Sequence, residues 1–229
     1  LRYNLAVMQQ ELGFFDEAES NYISLIEHSD ETKYKINLYN LYITKGLFQK
    51  ALDLINSIQS KHVSLIQVNQ DKAYILYLLK NYKDSIAQCN EILKIDRKNA
   101  NTLNTLGLCY FLLKKYDEAD KTLMEALSLD KKNIKILNSL GRLNHERRRS
   151  KEAKIYFDNA ISLNPNSFET VNNFAGFYLE EEDYLKAIQF YKKADKLKPN
   201  NSVVINNLAK TYICIHDEEE AEKYSRIAI

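Results

Sequence analysis

A repeat of 34 residues constrains the fold of this chain more than any other feature of its sequence. Six small residues follow one another at intervals of 34, namely Ala51, Ser85, Ala119, Ala153, Ala187 and Ala221. A seventh, Ala18, lies 33 residues before Ala51. A spacing of this length is typical of arrays in which each copy is one supersecondary unit and buries its apolar face against its neighbours. We therefore expect seven stacked copies of one unit rather than a single central core.

Each copy is predicted to form two amphipathic helices. Positions 4, 7, 8 and 11 of the repeat share one helical face, and positions 20, 24 and 27 share another. Pro165 and Pro199, which are also 34 residues apart, are expected to end the second helix of their copies. The 229 residues include only five glycines and two prolines. Because a chain of short strands needs many turn residues, this composition favours an all-α fold.

These columns resemble the tetratricopeptide repeat (TPR), in which leucine, glycine or alanine, tyrosine, alanine, an aromatic residue, alanine and proline recur at fixed positions. The copy at 168–201 carries several of these residues: Phe174, Ala175, Tyr178, Ala187, Tyr191, Ala194 and Pro199. The resemblance implies a right-handed superhelical solenoid of antiparallel helix pairs. The predicted repeats are about 1–31, 32–65, 66–99, 100–133, 134–167, 168–201 and 202–229. They are expected to form a single solenoid over 1–229, as a fragment of a longer protein.

Charge and composition limit the classes of partner. The net charge is +1, so there is no basic excess that would favour nucleic acid or an anionic membrane. The partner is therefore expected to be a protein or peptide. Three cysteines without paired spacing, Cys89, Cys109 and Cys214, favour a reducing compartment, and the chain is expected to be intracellular, in the cytoplasm. All three are interpreted as small buried side chains.

The sequence contains no motif of an enzyme, a metal site or a cofactor site. A phosphate-binding glycine loop, a nucleophile elbow and paired cysteines with zinc spacing are all missing. The four histidines, His28, His62, His145 and His216, are interpreted as solvated turn residues. The acidic run at 180–183 is interpreted as a solvated turn, and the arginines at 147–149 as an exposed turn of atypical form. We therefore expect a protein that is not an enzyme.

One polar column is a candidate binding surface. Positions 2, 6, 9 and 13 of the first helix lie opposite its buried face, and the resemblance places them on the concave wall. Position 6 holds a short polar side chain in every copy: Asn4, Asn37, Asp71, Thr105, Ser139, Asn173 and Asn207. Position 5 adds a second column of amides. An amide side chain both donates and accepts hydrogen bonds, so a ladder of amides can bind the main chain of an extended peptide.

The predicted peptide contacts on the concave face combine both columns with position 9: Asn104, Asn138, Asn173, Asn207, Asn172, Asn206, Asn40 and Arg142. An alternative explanation is that the columns reflect only the general asparagine richness of the chain. The ladder resembles those of TPR superhelices that bind peptides along the groove.

These features predict a non-catalytic scaffold that binds an extended peptide or a partner helix in its groove. Two alternatives stay open. In the first, the chain is the substrate-recruiting arm of an enzyme, for example a glycosyltransferase, whose catalytic domain lies outside it. In the second, it is an architectural subunit of a large assembly. The last copy ends inside its second helix near Ile227, and this uncapped apolar end is expected to allow self-association.

Overall fold

The computed structural model describes residues 1–58 and 65–227, and these residues form fourteen α-helices and no strand. Among the described residues, the two helices of the first, second, third, fifth, sixth and seventh predicted copies pack against each other. The predicted all-α class is confirmed. The chain divides into two compact units, one up to Cys109 and one from Tyr110 onward, called unit 1 and unit 2 here. The single solenoid over 1–229 stays a prediction. His62 lies outside the described residues.

Unit 1 is built from the first helices of the chain. Their bounds are α1 (Arg2–Glu11), α2 (Phe15–His28), α3 (Thr32–Thr44), α4 (Phe48–Asn56), α5 (Leu65–Leu78) and α6 (Tyr82–Ile95). The small residues Ala18 and Ala51 are fully buried, as is Ser85, whose hydroxyl donates to the carbonyl of Ala73 at 2.7 Å. The predicted small-residue column therefore marks the packing surface of this unit.

The next helix, α7 (Ala100–Leu112), continues the chain from unit 1 into unit 2. The remaining helices are α8 (Tyr116–Leu129), α9 (Ile134–Glu146), α10 (Ser150–Leu163), α11 (Phe168–Glu180), α12 (Tyr184–Leu197), α13 (Ser202–Cys214) and α14 (Glu218–Ile227). The core of unit 2 contains Ala153, Phe157, Phe174, Ala187 and Tyr191, each at most 1% exposed. These residues come from α10, α11 and α12, so the core is shared between repeats.

A column of capping residues starts the first helix of successive repeats. Asn99, Asn133, Ser167 and Asn201 lie 34 residues apart, and each side chain accepts a hydrogen bond from the backbone N–H three residues later, at 3.0 to 3.4 Å. Such caps satisfy backbone donors that the helix leaves free. The second helices end at Leu163 and Leu197, two residues before Pro165 and Pro199. This confirms the predicted role of the prolines.

The turn between the two helices of a repeat has one recurring backbone conformation. Its central residue has a positive φ of 58° to 84° in all seven copies: Gly13, Gly46, Lys80, Lys114, Arg148, Glu182 and His216. Glycine occupies this position only twice, although residues with a Cβ adopt positive φ at a free-energy cost. The turn at Arg148 has the same φ, 60°, as its equivalents, so the predicted atypical form of this turn is wrong.

The cysteines differ in exposure. Cys89 and Cys109 are buried, as predicted, and burial raises the pKa of the Cys89 thiol to about 12. Cys214 is exposed, so that prediction is wrong for this residue, which lies at the end of α13. Across residues 1–58 and 65–227, no helix combines the length and the apolar character that crossing a membrane requires.

Candidate functional site

A cleft of about 240 Å³ lies among the first helices of the repeats in unit 2. We call it the α9–α13 cleft. The residues that line it are Phe111, Arg142, His145, Glu146, Phe157, Asn172, Asn173, Gly176, Phe177, Glu180, Tyr191 and Asn207. Most of them stand three or four residues apart on α9 or α11, so each helix presents one face to the cleft.

Two adjacent amides in the cleft have buried atoms without partners. The Oδ1 atom of Asn172 and the Nδ2 atom of Asn173 are buried and form no hydrogen bond with any described residue. Buried polar atoms in folded proteins nearly always have a hydrogen-bond partner. The pair thus offers one acceptor and one donor, on neighbouring residues of α11, to a polar group that enters the cleft.

The residue at position 3 of the next repeat determines whether a threonine hydroxyl accepts from the position-5 amide nitrogen. The Oδ1 acceptor is buried and unpartnered in Asn138 as well as in Asn172. In unit 2 the equivalent amide of Asn138 donates to the hydroxyl of Thr170 at 2.8 Å. In unit 1 the amide of Gln70 donates to the hydroxyl of Thr102 at 3.3 Å. For Asn172 the corresponding position 3 is occupied by Val204, which has no polar side-chain atom. A threonine at position 3 therefore joins the position-5 amide nitrogen to the next repeat, and a valine offers that nitrogen no acceptor.

Aromatic rings form much of the cleft wall. The guanidinium of Arg142 lies 5.4 Å from the ring centre of Phe111, within the range of a cation–π contact. Tyr191 is 1% exposed. Burial, with a smaller contribution from the charge of Glu180, raises the pKa of Tyr191 to about 12. The phenol is therefore neutral at physiological pH and able to donate a hydrogen bond.

His145 is a cleft residue rather than a solvated turn residue. Its side chain is 16% exposed, and its Nε2 atom lies 3.6 Å from a carboxylate oxygen of Glu180 and 3.8 Å from one of Glu181. Its ring packs edge-on against Phe177 with 5.1 Å between centres. The prediction of a solvated histidine is therefore wrong here, whereas His28 and His216 are exposed as expected.

The structure brings together four of the eight predicted contact residues: Arg142, Asn172, Asn173 and Asn207. Asn138 is 2% exposed and is bonded to Thr170, so it does not line the cleft. Asn206 is exposed on α13 outside the cleft lining. The other two belong to unit 1, where Asn104 is buried and Asn40 is exposed.

A family model described as "Tetratricopeptide repeat" matches residues 100–133, 134–167 and 168–201. These three consecutive matches have the same boundaries as the predicted copies that contribute most of the cleft. Residues 100–201 of the chain belong to the tetratricopeptide repeat family. TPR folds are typically non-catalytic interaction scaffolds, and TPR proteins generally mediate protein–protein interactions.

Solved structures of TPR proteins share this fold. A tetratricopeptide repeat protein from Parabacteroides merdae has a TM-score of 0.69 and 17% identity, with 100% of this chain and 92% of that chain covered. The Cut9–Hcn1 hetero-tetramer of the APC/C gives a TM-score of 0.78 at 15% identity, with 97% of this chain and 44% of the other covered.

YrrB, described as a TPR protein with an unusual peptide-binding site, gives a TM-score of 0.52 at 21% identity and covers 80% of this chain and 90% of its own. At these identities the likeness shows the fold alone. No curated protein matches the sequence significantly.

Sequence reasoning missed several lining residues of this TPR cleft. Phe111 and His145 occupy repeat position 12, which lies about 60° around the helix from position 9, the same angle as position 6. Selecting residues by their angle around the helix therefore includes position 12 as well. The aromatic ring of Phe111 and the imidazole of His145 at this position could have indicated the binding surface. Glu146 and Glu180 occupy position 13, which the same selection includes. Within the described parts of the chain, no group of three or more potential ligands could hold a metal ion.

Proposed function

We propose that the α9–α13 cleft binds an extended peptide segment of a partner protein. The observation that carries this proposal is the pair of buried, unpartnered amide atoms, Asn172 Oδ1 and Asn173 Nδ2. A peptide unit has one N–H donor and one C=O acceptor. A main chain that enters the cleft satisfies both amides, with its N–H donating to Asn172 and its carbonyl accepting from Asn173.

The remaining side chains of the cleft support recognition of a main chain with apolar side chains. Phe111 supplies partly exposed aromatic surface, which contributes strongly to binding when it is buried by a ligand. Phe177 and Tyr191 are already buried. The lining holds charges of both signs, with the guanidinium of Arg142 and the carboxylates of Glu146 and Glu180. Asn207 lies in the same cleft on α13 and extends the polar surface by one repeat. A bound peptide thus contacts α9, α11 and α13.

The comparisons are consistent with this proposal. TPR proteins generally bind protein partners, and YrrB is described as having a peptide-binding site. The proposed contacts are Arg142, Asn172, Asn173 and Asn207. A longer ladder that includes Asn104, Asn138, Asn206 and Asn40 stays a prediction.

A second proposed role, as an architectural subunit, is favoured by an exposed apolar face on α1. Leu5 and Met8 of α1 and Leu12 at its C-cap are 49%, 57% and 68% exposed, and they lie three or four residues apart. Exposed apolar surface of this kind marks protein contacts. In the APC/C, Cut9 and Hcn1 form a hetero-tetramer. In this role the convex faces and the ends, rather than the cleft, make the contacts.

The test of the cleft uses a displayed library of random dodecapeptides selected on the complete 229-residue chain. Dissociation constants of the selected peptides are then measured for the wild type, for Asn172→Ala with Asn173→Ala, and for a matched control. The control is Asn40→Ala with Asn206→Ala, because both of these amides are exposed and lie outside the cleft. At about 1 kcal/mol for each lost hydrogen bond, the cleft variant should bind at least about tenfold more weakly.

Recognition of the main chain has a separate test. Replacing peptide N–H groups by N-methyl groups one at a time should weaken binding most at one or two positions, because the donor to Asn172 is then lost. Equal affinity of the wild type and the cleft variant would contradict the proposal. Loss of affinity in the control variant alone would place binding outside the cleft. Selected peptides that bind only to α1, and lose affinity when Met8 becomes Glu, would favour the architectural role.

A further inference from the structure

A second groove in unit 2 lies on the second helices of the repeats. Ile161 of α10 and Phe190 of α12 contribute its apolar surface, and Gln189, Lys192, Lys193 and Lys196 of α12 complete its lining. We call it the lysine groove. Its volume is about 560 Å³, and it shares no lining residue with the α9–α13 cleft. The two surfaces are therefore chemically independent.

The apolar surface of the lysine groove is held by the core. The ring of Phe190 packs 5.0 Å from Phe174 and 5.5 Å from Tyr178, measured between ring centres. Both partners are buried. Because these buried rings hold Phe190 in place, the apolar surface of the groove is preformed. Binding of an apolar side chain therefore costs little free energy for ordering the Phe190 ring.

The charge around the groove is predominantly positive. Lys192 lies 5.5 Å from the ring centre of Tyr212, and its pKa is raised, mainly by a hydrogen bond with that residue and also by charges that include Glu220. In the part of the chain that the structure describes, Lys193 and Lys196 form no ion pair. Asp195 is the acidic neighbour on the same helix.

Other carboxylates of this region already have cationic partners. Asp158 pairs with Lys154 at 2.6 Å, and Glu220 pairs with Lys223 at 2.8 Å. Among the described residues, Lys193 and Lys196 thus lack counterions, and we expect the complementary charge to come from a ligand.

We propose that the lysine groove docks an acidic peptide segment that carries one aliphatic side chain between carboxylates. The aliphatic group packs on Ile161 and Phe190, and the flanking carboxylates pair with Lys193 and Lys196. An acidic peptide fits better than a nucleic acid, because the lining of the groove holds one aromatic ring, Phe190, whereas single-stranded nucleic acids stack successive bases on several rings. The overall charge of the chain, +1, is also too low for a general polyanion binder.

The test measures fluorescence anisotropy of a labelled dodecapeptide of glutamates with one central leucine. The expected result is saturable binding to the complete chain that weakens as salt is added. In Lys193→Glu with Lys196→Glu, affinity should fall at least about tenfold because two attractive charges become repulsive. Changing the peptide leucine to serine should weaken binding about fivefold or more, because the apolar contact is lost.

A matched variant controls for net charge. Lys131→Glu with Lys132→Glu changes the charge by the same amount, and both residues are exposed in the turn between α8 and α9. This variant, and Asn172→Ala with Asn173→Ala, should bind the peptide as the wild type does, so failure of the α9–α13 proposal is distinguishable from failure here. If the glutamate variant fails to fold by circular dichroism, Lys193→Gln with Lys196→Gln replaces it, with affinity expected to fall severalfold.

Results of three kinds would overturn the proposal. The first is no saturable binding of the acidic peptide. The second is an equal loss of affinity in the Lys131 and Lys132 variant, or equal binding of the serine peptide, since either means attraction by charge alone. The third is binding of oligothymidylate as tightly as the peptide with the same dependence on Lys193 and Lys196, since this result identifies a general site for polyanions.

Discussion

The side-chain amide of Asn138 donates a hydrogen bond of 2.8 Å to the hydroxyl of Thr170, the third residue of α11. The same hydroxyl donates to Ser167 at 2.9 Å, and Ser167 caps α11. A residue on the predicted binding surface therefore connects α9 to the cap of α11. In this repeat, position 5 stabilises the contact between neighbouring copies, whereas its equivalent Asn172 faces Val204 in place of the threonine and so has no hydroxyl acceptor there for its amide nitrogen.

This relationship predicts that Asn138 contributes to stability and not to peptide binding. Asn138→Ala should lower the free energy of unfolding by about 1 to 2 kcal/mol, because it removes a buried hydrogen bond. Peptides selected for the α9–α13 cleft should bind the folded variant unchanged. Urea denaturation followed by circular dichroism measures the first effect, with the exposed Asn206→Ala as control. A loss of peptide affinity without a loss of stability would return Asn138 to the binding surface.

Two helical glycines of unit 2 predict opposite effects of the same substitution. A Cβ at Gly141 would lie 2.7 Å from the ring of Phe157, whereas a Cβ at Gly176 would lie 3.5 Å from the Tyr191 hydroxyl. Phe157 is buried in the core and cannot move away, so Gly141→Ala should destabilise by about 1 to 3 kcal/mol. Gly176→Ala should be neutral or stabilise by up to about 1 kcal/mol, because alanine favours the helix.

Thermal unfolding of these two variants gives the comparison directly. Since Gly176 also lines the α9–α13 cleft, Gly176→Ala adds a methyl group where the proposed peptide lies. Reduced peptide affinity in this stable variant is the expected result. A thermal unfolding midpoint of Gly141→Ala equal to that of the wild type would show that the Phe157 ring moves to accommodate the added methyl group.

The recurring turn predicts reciprocal effects of glycine. Gly46 has a φ of 73°, and a Cβ added there would meet no atom of the described residues within 4 Å. Gly46→Ala should therefore destabilise by about 1 kcal/mol through backbone conformation alone. Lys114 has a φ of 59°, and Lys114→Gly should stabilise by up to about 1 kcal/mol, reduced by the greater entropy of glycine in the unfolded chain. Chemical denaturation of both variants measures these effects. A change of the same sign in the free energy of unfolding of both variants would contradict this role of the backbone conformation in the turn.

The fold was predictable because the repeat columns encode packing that each copy reproduces. Ala153 and Ala187 are buried where helices approach closely, and Pro165 and Pro199 follow helix ends. The caps from Asn99 to Asn201 and the positive φ at positions such as Arg148 also recur at the same spacing. The positive φ of these turns was not predicted, because lysine, arginine and glutamate do not indicate a left-handed residue as glycine does.

The binding surface was only partly predictable, because the helical angle gives the face of a side chain but not its hydrogen-bond partner. Asn138 and Asn172 occupy the same repeat position, yet their roles differ through one residue in the following copy, Thr170 or Val204. His145 is shielded by Phe177 and faces Glu180, which belong to the next helix pair. Such pairings depend on contacts between copies, whereas the sequence was compared column by column within one copy.

Tyr191 predicts a loss of stability at alkaline pH. Its pKa in the folded protein is raised to about 12, mainly by burial and also by Glu180, whereas an unfolded tyrosine ionises at about pH 10. Because the folded pKa is the higher one, this tyrosine's contribution to stability is fully present below about pH 10 and is lost as pH rises toward the folded pKa. The loss is about 1 kcal/mol per pH unit. Tyr191→Phe should therefore show a shallower decline between about pH 10 and pH 11 than the wild type, measured by urea denaturation against a reference near pH 8. Identical slopes for the two proteins would mean that Tyr191 ionises as readily in the folded chain as in the unfolded one.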